Sequence, residues 1–151
     1  YLKAAKPLMQ RLLARRFDGG NSVLAAAICA EFFRDHLWDH IRHTNALLKE
    51  KRDAVFAGLE NTQDCTWSKP VGGMFIWVGF PPDVDRQRLW SLLQEEDITF
   101  ARGSAFHIDG ADIPYLRLAF GYASLEAVQQ GVPLLAQCIN RARTGDAVAA
   151  G

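Results

Sequence analysis

Apolar positions along the chain follow a helical period in its first half and a strand period in much of its second. The opening "YLKAAKPLMQRLL" reads as part of a helix, and in "RRFDGGNSV" residues Asp18, Gly19, Gly20, Asn21 and Ser22 form a turn followed by helix-capping residues. A new helix is expected near Asn21. From there to Glu60 the sole glycine or proline is Gly58, and Ile41, Leu48 and Val55 recur every seven residues with Leu37 and Leu59 nearby. This spacing predicts a short helix at 22–34 and a longer one at 36–60. At about 1.5 Å per residue the longer helix would run roughly 37 Å, a length that often joins two bodies.

Beyond Glu60, "GGMFIWVGF" reads as a strand ended by Pro81-Pro82, "VDRQRLWSLLQEED" as a helix, "ITFARG" and "YLRLAFG" as strands, and "SLEAVQQGVPLLAQCINRAR" as a closing helix. The predicted order is three helices, a strand, a helix, two strands and a helix. In the first strand Met74, Ile76, Val78 and Phe80 share one face while Phe75 and Trp77 share the other, so both faces expect cover. The closing helix gathers Val128, Val132, Leu135 and Ile139 on one side but carries Pro133 inside. A missing donor and a ring clash there cost about 3 kcal/mol, which predicts a kink between Gln129 and Pro133. The small and polar "TGDAVAAG", 144–151, is expected to be a mobile tail.

Composition narrows the class. With 151 residues, 49% of them apolar, the chain can bury one sizeable core, and 17 basic against 17 acidic residues leave no global field to recruit nucleic acid or an anionic membrane. No apolar run approaches the ~20 residues of a membrane helix. Cys29, Cys65 and Cys138 are odd in number and widely spaced, which suits reduced thiols in a cytoplasmic protein better than a disulfide framework. The sequence also begins at Tyr1, inside a helical pattern, and is read as a piece of something longer. His36, His40 and His43 share a helical face without an HExxH motif, so no metal site is assigned. Ser104 lacks a nucleophile-elbow context, His107 is a lone histidine, and Trp38, Trp67, Trp77 and Trp90 are read as packing residues.

The strand "YLRLAFG" carries the candidate chemistry. Leu116, Leu118 and Phe120 share its core face, which turns Tyr115, Arg117 and Ala119 to the other. Arg117 is open to two readings. It is a surface or ion-paired arginine, or a planar fork that takes a carboxylate or phosphate with two parallel hydrogen bonds. Tyr115 either lines the same entrance or packs beneath a neighbouring body.

Taken together, "KPVGGMFIWVGFP", "ITFARGSAFH" and "YLRLAFGYASLEAVQQGVPLLAQCI", with the upstream "FDGGNSVLAAAICAEFFRDHLWDHIRHTNALLKEKRDAVFAGLE", resemble the carboxy-terminal part of class I/II (fold type I) aminotransferases. The similarity is closest to the 2-aminoadipate aminotransferase branch. It implies an α/β fold with an α+β layer: a small, mostly antiparallel sheet with helices on one face, preceded by a long interdomain helix. Residues 1–35 would end the large domain, 36–143 would form the small domain, and 144–151 the tail. It also implies that Arg117 binds the substrate α-carboxylate and that Gly72 and Gly73 lie near the mouth of the pocket. Pyridoxal 5′-phosphate and its Schiff-base lysine would belong to a large domain outside this sequence, since Lys3, Lys6, Lys49, Lys51 and Lys69 lack the serine-rich context of that lysine. The implied function is amino transfer between an amino acid and a 2-oxo acid by a cytoplasmic homodimer, with this stretch inactive alone. Arg102 stands where the family commonly has proline, which would add a positive charge towards the pocket. The alternatives are an effector domain of an aminotransferase-like transcription regulator and a non-catalytic interaction module.

Overall fold

A computed structural model describes residues 3–15 and 22–143. The turn expected at Asp18 to Asn21 and the tail expected at 144–151 lie outside the described residues. Helix α1 spans Lys6–Leu13 and has Pro7 in its first turn, where a missing backbone donor costs least. Helix α2 spans Val23–Leu59 and starts where Ser22 Oγ accepts the Ala25 N–H at 3.3 Å. One helix of 37 residues therefore replaces the two that the spacing predicts at 22–34 and 36–60. No glycine or proline interrupts 34–36, and nothing there breaks the hydrogen-bond ladder.

The chain then forms β1 (Thr66–Trp67), β2 (Phe75–Gly79), α3 (Arg86–Glu95), β3 (Ala101–Arg102), a 3-10 turn (Gly103–Phe106), β4 (Tyr115–Ala119) and α4 (Leu125–Arg141). The sheet runs in the order β1-β2-β4-β3, with every pair antiparallel. The two-residue β1 was not expected from sequence; at this length it has no alternation to read. Helices α3 and α4 begin at side-chain caps, Asp85 accepting from the Arg88 N–H and Ser124 from the Ala127 N–H. Helix α4 runs through Pro133 without a break in its span.

Contacts divide the chain into two compact units, residues 1–41 and 42–151. In the first, α1 buries none of its residues, and α2 leaves Val23, Leu24, Ile28, Phe32 and Phe33 exposed. Trp38 is exposed as well, which corrects its reading as a packing residue. In the second, Val55 and Leu59 at the end of α2, Leu89 and Leu93 of α3, and Val128, Val132, Leu135 and Ile139 of α4 close over Ile76, Val78, Leu116, Leu118 and Phe120. Three helical segments thus cover one face of the sheet, as the alternation in β2 and β4 requires. Gly58 lets two of them meet, since a Cβ there would stand 2.6 Å from Val132 Cγ1.

Candidate functional site

The face turned away from the helices is aromatic with one cation at its centre. Register places Arg117 directly across from Trp77 on β2 and from Ala101 on β3, and pairs Phe75 with Ala119. Phe75 and Arg117 are therefore diagonal neighbours on one face, within reach of each other's long side chains. The small Ala101 and Ala119 leave room beside the arginine. After β3, the 3-10 turn folds Phe106 onto the same face, where its ring meets Trp77 edge-on at 5.0 Å. Tyr115 also meets Trp77 edge-on, at 6.3 Å.

Among the described residues, rings and no counter-ion flank Arg117. Its guanidinium carbon stands 4.1 Å from the centre of the Phe75 ring and 4.4 Å from that of Phe106, close enough for cation–π attraction at both. Its Nε is buried and has no hydrogen-bond partner among the described residues. A buried unpaired donor costs about 1–3 kcal/mol. Sequence reasoning picked out Arg117 and Tyr115 but missed Phe75 and Phe106 as its flanks. Alternation put Phe75 on the outer face, yet the strand register was not readable, and a single 3-10 turn leaves no periodic signal for Phe106.

Gly72 and Gly73 line a different depression, a cavity of about 390 Å³ shared with Asn45, Leu48, Lys49, Arg52 and Val71. Gly73 has φ +88°, a conformation that glycine adopts without strain. The charges beside it are paired: Asp53 meets Lys49 at 2.8 Å and Arg52 at 2.7 Å. Lys49 first and Arg52 second hold the Asp53 carboxyl below the usual carboxylate range.

Arg102 is not an added charge at the Arg117 face. It pairs with Leu116 in the ladder, so alternation sends it to the helix-bearing side, where its guanidinium carbon lies 5.3 Å over Trp90. His107 Nδ1 accepts the Asp109 N–H at 3.3 Å in the following loop. An apolar cavity of about 470 Å³, lined by Val55, Leu118, Phe120, Val128 and Val132, opens on the helix side and does not include Arg117. It offers no cation to a carboxylate.

Two of the described lysines have partners of their own. Lys49 is tied to Asp53, and Lys51 donates to the Gly121 carbonyl at 3.1 Å. No lysine stands at a paired position of the sheet.

Comparison with known proteins agrees with this architecture. The family model "Aminotransferase class I and II" matches residues 2–131. The uncharacterized HTH-type transcriptional regulator YdfD of Bacillus subtilis is 28% identical over 87% of this chain and 28% of its own length. The solved multiple substrate aminotransferase of Thermococcus profundus is 28% identical with a TM-score of 0.65, covering 74% of this chain and 28% of that one. LysN, the α-aminoadipate aminotransferase of Thermus thermophilus, shares the fold at 23% identity with a TM-score of 0.67, covering 74% of this chain and 29% of that one. The chain spans less than a third of the length of these proteins, and the stretch matched in the solved ones is their carboxy-terminal portion. The chain belongs to the class I and II aminotransferase family, and its four-stranded antiparallel sheet, helical layer and long preceding helix are those of the family's small domain.

Proposed function

We propose that this chain is the carboxylate-binding part of a pyridoxal 5′-phosphate-dependent aminotransferase, acting on an amino acid and a 2-oxo acid within a homodimer. The observation that carries the reading is Arg117: a guanidinium flanked by two rings, with a buried, unpaired Nε and no counter-ion among the described residues. A planar fork takes a carboxylate through two parallel hydrogen bonds, and two-point contact fixes the rotation of the amino acid as one-point contact cannot. Tyr115 and Trp77 form the wall beside it, whereas Gly72 and Gly73, expected at its mouth, line a separate depression. The cofactor, held by the rest of a longer polypeptide, supplies the electron sink for breaking a bond at Cα. This chain supplies orientation.

The test uses the longer polypeptide loaded with cofactor. Amino transfer from the twenty standard L-amino acids to 2-oxoglutarate is measured, and Arg117→Gln is expected to lower kcat/KM for the best donor by about 30-fold or more, the loss typical of removing one partner of a buried charge pair. Transfer from the matching amine without a carboxylate should not change. Unaltered turnover of amino acids by the variant would refute the assignment.

A second reading has its own support. YdfD, a regulator by name, is similar across 87% of this chain. In that reading the same arginine serves an amino-acid-sensing effector domain. A polypeptide that transfers no amino group, yet changes its affinity for DNA when an L-amino acid binds, would favour it.

A further inference from the structure

We propose that Phe75 and Phe106 are positioning residues for Arg117, fixing the plane of its guanidinium so that only its edge meets a ligand. The inference rests on the reading of Arg117 as the carboxylate-binding group and asks what aims it. An exposed arginine samples many rotamers, and ordering it on binding would cost affinity. An acidic neighbour could hold it still, but would compete with the ligand for the same donors. Aromatic rings hold a cation through its π face and leave the N–H donors free. Arg117 shows the second solution. Its guanidinium carbon lies 4.1 Å from one ring centre and 4.4 Å from the other, and it has no hydrogen bond or ion pair among the described residues.

The two rings come from different elements, which makes the arrangement hard to obtain by packing one strand alone. Phe75 is set by the β2–β4 register, diagonal to Arg117. Phe106 arrives from the 3-10 turn after β3 and is itself steadied by Trp77 at 5.0 Å, with the planes at 80°. Both rings are partly exposed, at 43% and 44%, so neither belongs to the core that Leu116 and Leu118 build on the other face. A leucine at position 106 would keep most of the bulk and lose the attraction to the cation. A tyrosine would keep both.

Two measurements test this. In this chain, labelled with ¹⁵N-arginine, the Arg117 Nε–H proton is expected upfield of those of exposed arginines because of the ring currents. Phe106→Leu should move it back towards them, and Phe106→Tyr should leave it in place. An Arg117 signal that already coincides with the exposed arginines in the unsubstituted chain overturns the proposal. In the longer, cofactor-loaded polypeptide, Phe106→Leu is expected to weaken binding of L-leucine about tenfold, a loss of the size that one desolvated cation–aromatic contact sustains. Binding of 3-methylbutylamine, the same molecule without its carboxylate, should not change, and Phe106→Tyr should restore L-leucine binding. Equal weakening of both probes, or of neither, overturns the positioning role while Arg117→Gln still separates them. If Arg117→Gln also leaves the ratio of the two affinities unchanged, the carboxylate assignment falls and the positioning role with it, even with the resonance shift intact.

Discussion

Arg117 and Arg102 sit on adjacent antiparallel strands, yet one side chain lies between phenylalanines and the other over Trp90, because each pairs one position apart in the same ladder. A one-residue offset decides which face a charge reaches. The alternation of "YLRLAF" was enough to place Arg117 opposite the leucines, since both readings of that side chain share the same geometry. It could not place Arg102, because β3 is two residues long and its partner was unknown. The cysteines give a prediction at the same scale. Burial pushes the Cys65 and Cys138 thiols above their ordinary value, whereas Cys29 is exposed. A raised thiol pKa lowers the thiolate fraction at neutral pH, and the thiolate is what alkylates. Iodoacetamide near pH 7.5 should therefore modify Cys29 first and Cys138 last by peptide mass analysis, and the Cys65 lag should narrow as pH rises past the ordinary thiol value of 9.0. Early modification of Cys138 would contradict the burial that seals it.

Helix α2 differs most from what the sequence pattern predicts. Ile41, Leu48 and Val55 do lie on an inward-turning stripe, half-buried at the first two positions and buried at the third. What the period could not reveal was continuity, because Asp35 and His36 are ordinary helix residues and mark no boundary. Gly58 shows a different kind of information. Inside a helix it costs about 1 kcal/mol relative to alanine, so its presence calls for a contact, and that contact is Val132 of α4. A Cβ at position 58 would stand 2.6 Å from Val132 Cγ1 and 2.8 Å from its Cβ, next to the branch point of a stiff side chain. Gly58→Ala is thus expected to destabilise the second unit by about 1–3 kcal/mol despite the gain in helix propensity, read as a lower urea midpoint at unchanged slope. A more stable variant would mean that α2 and α4 can part without cost.

For the whole molecule, the layer order was legible because the chemistry of burial is redundant: Ile76, Val78, Leu116, Leu118, Val128, Val132, Leu135 and Ile139 all read as one inward surface, and all are buried. The site was only half legible. An arginine on the wrong face of a strand announces itself, but the rings around it come from β2 and from a turn, and only the folded register brings them together. No lysine stands at a paired position of the sheet, which gives a prediction for the chain as a unit. Supplied with pyridoxal 5′-phosphate and amino acids, the 151-residue chain is expected to carry out no amino transfer, measured as 2-oxo acid formed. Sustained turnover would mean that it holds the cofactor unaided.

Both edges of the sheet, β1 and β3, are only two residues long. Each offers too few free backbone groups to template a further strand, so copies of this domain have little means of adding end to end into a continuous sheet. The domain thereby keeps a margin against fibrillar association that its aromatic outer face would otherwise invite.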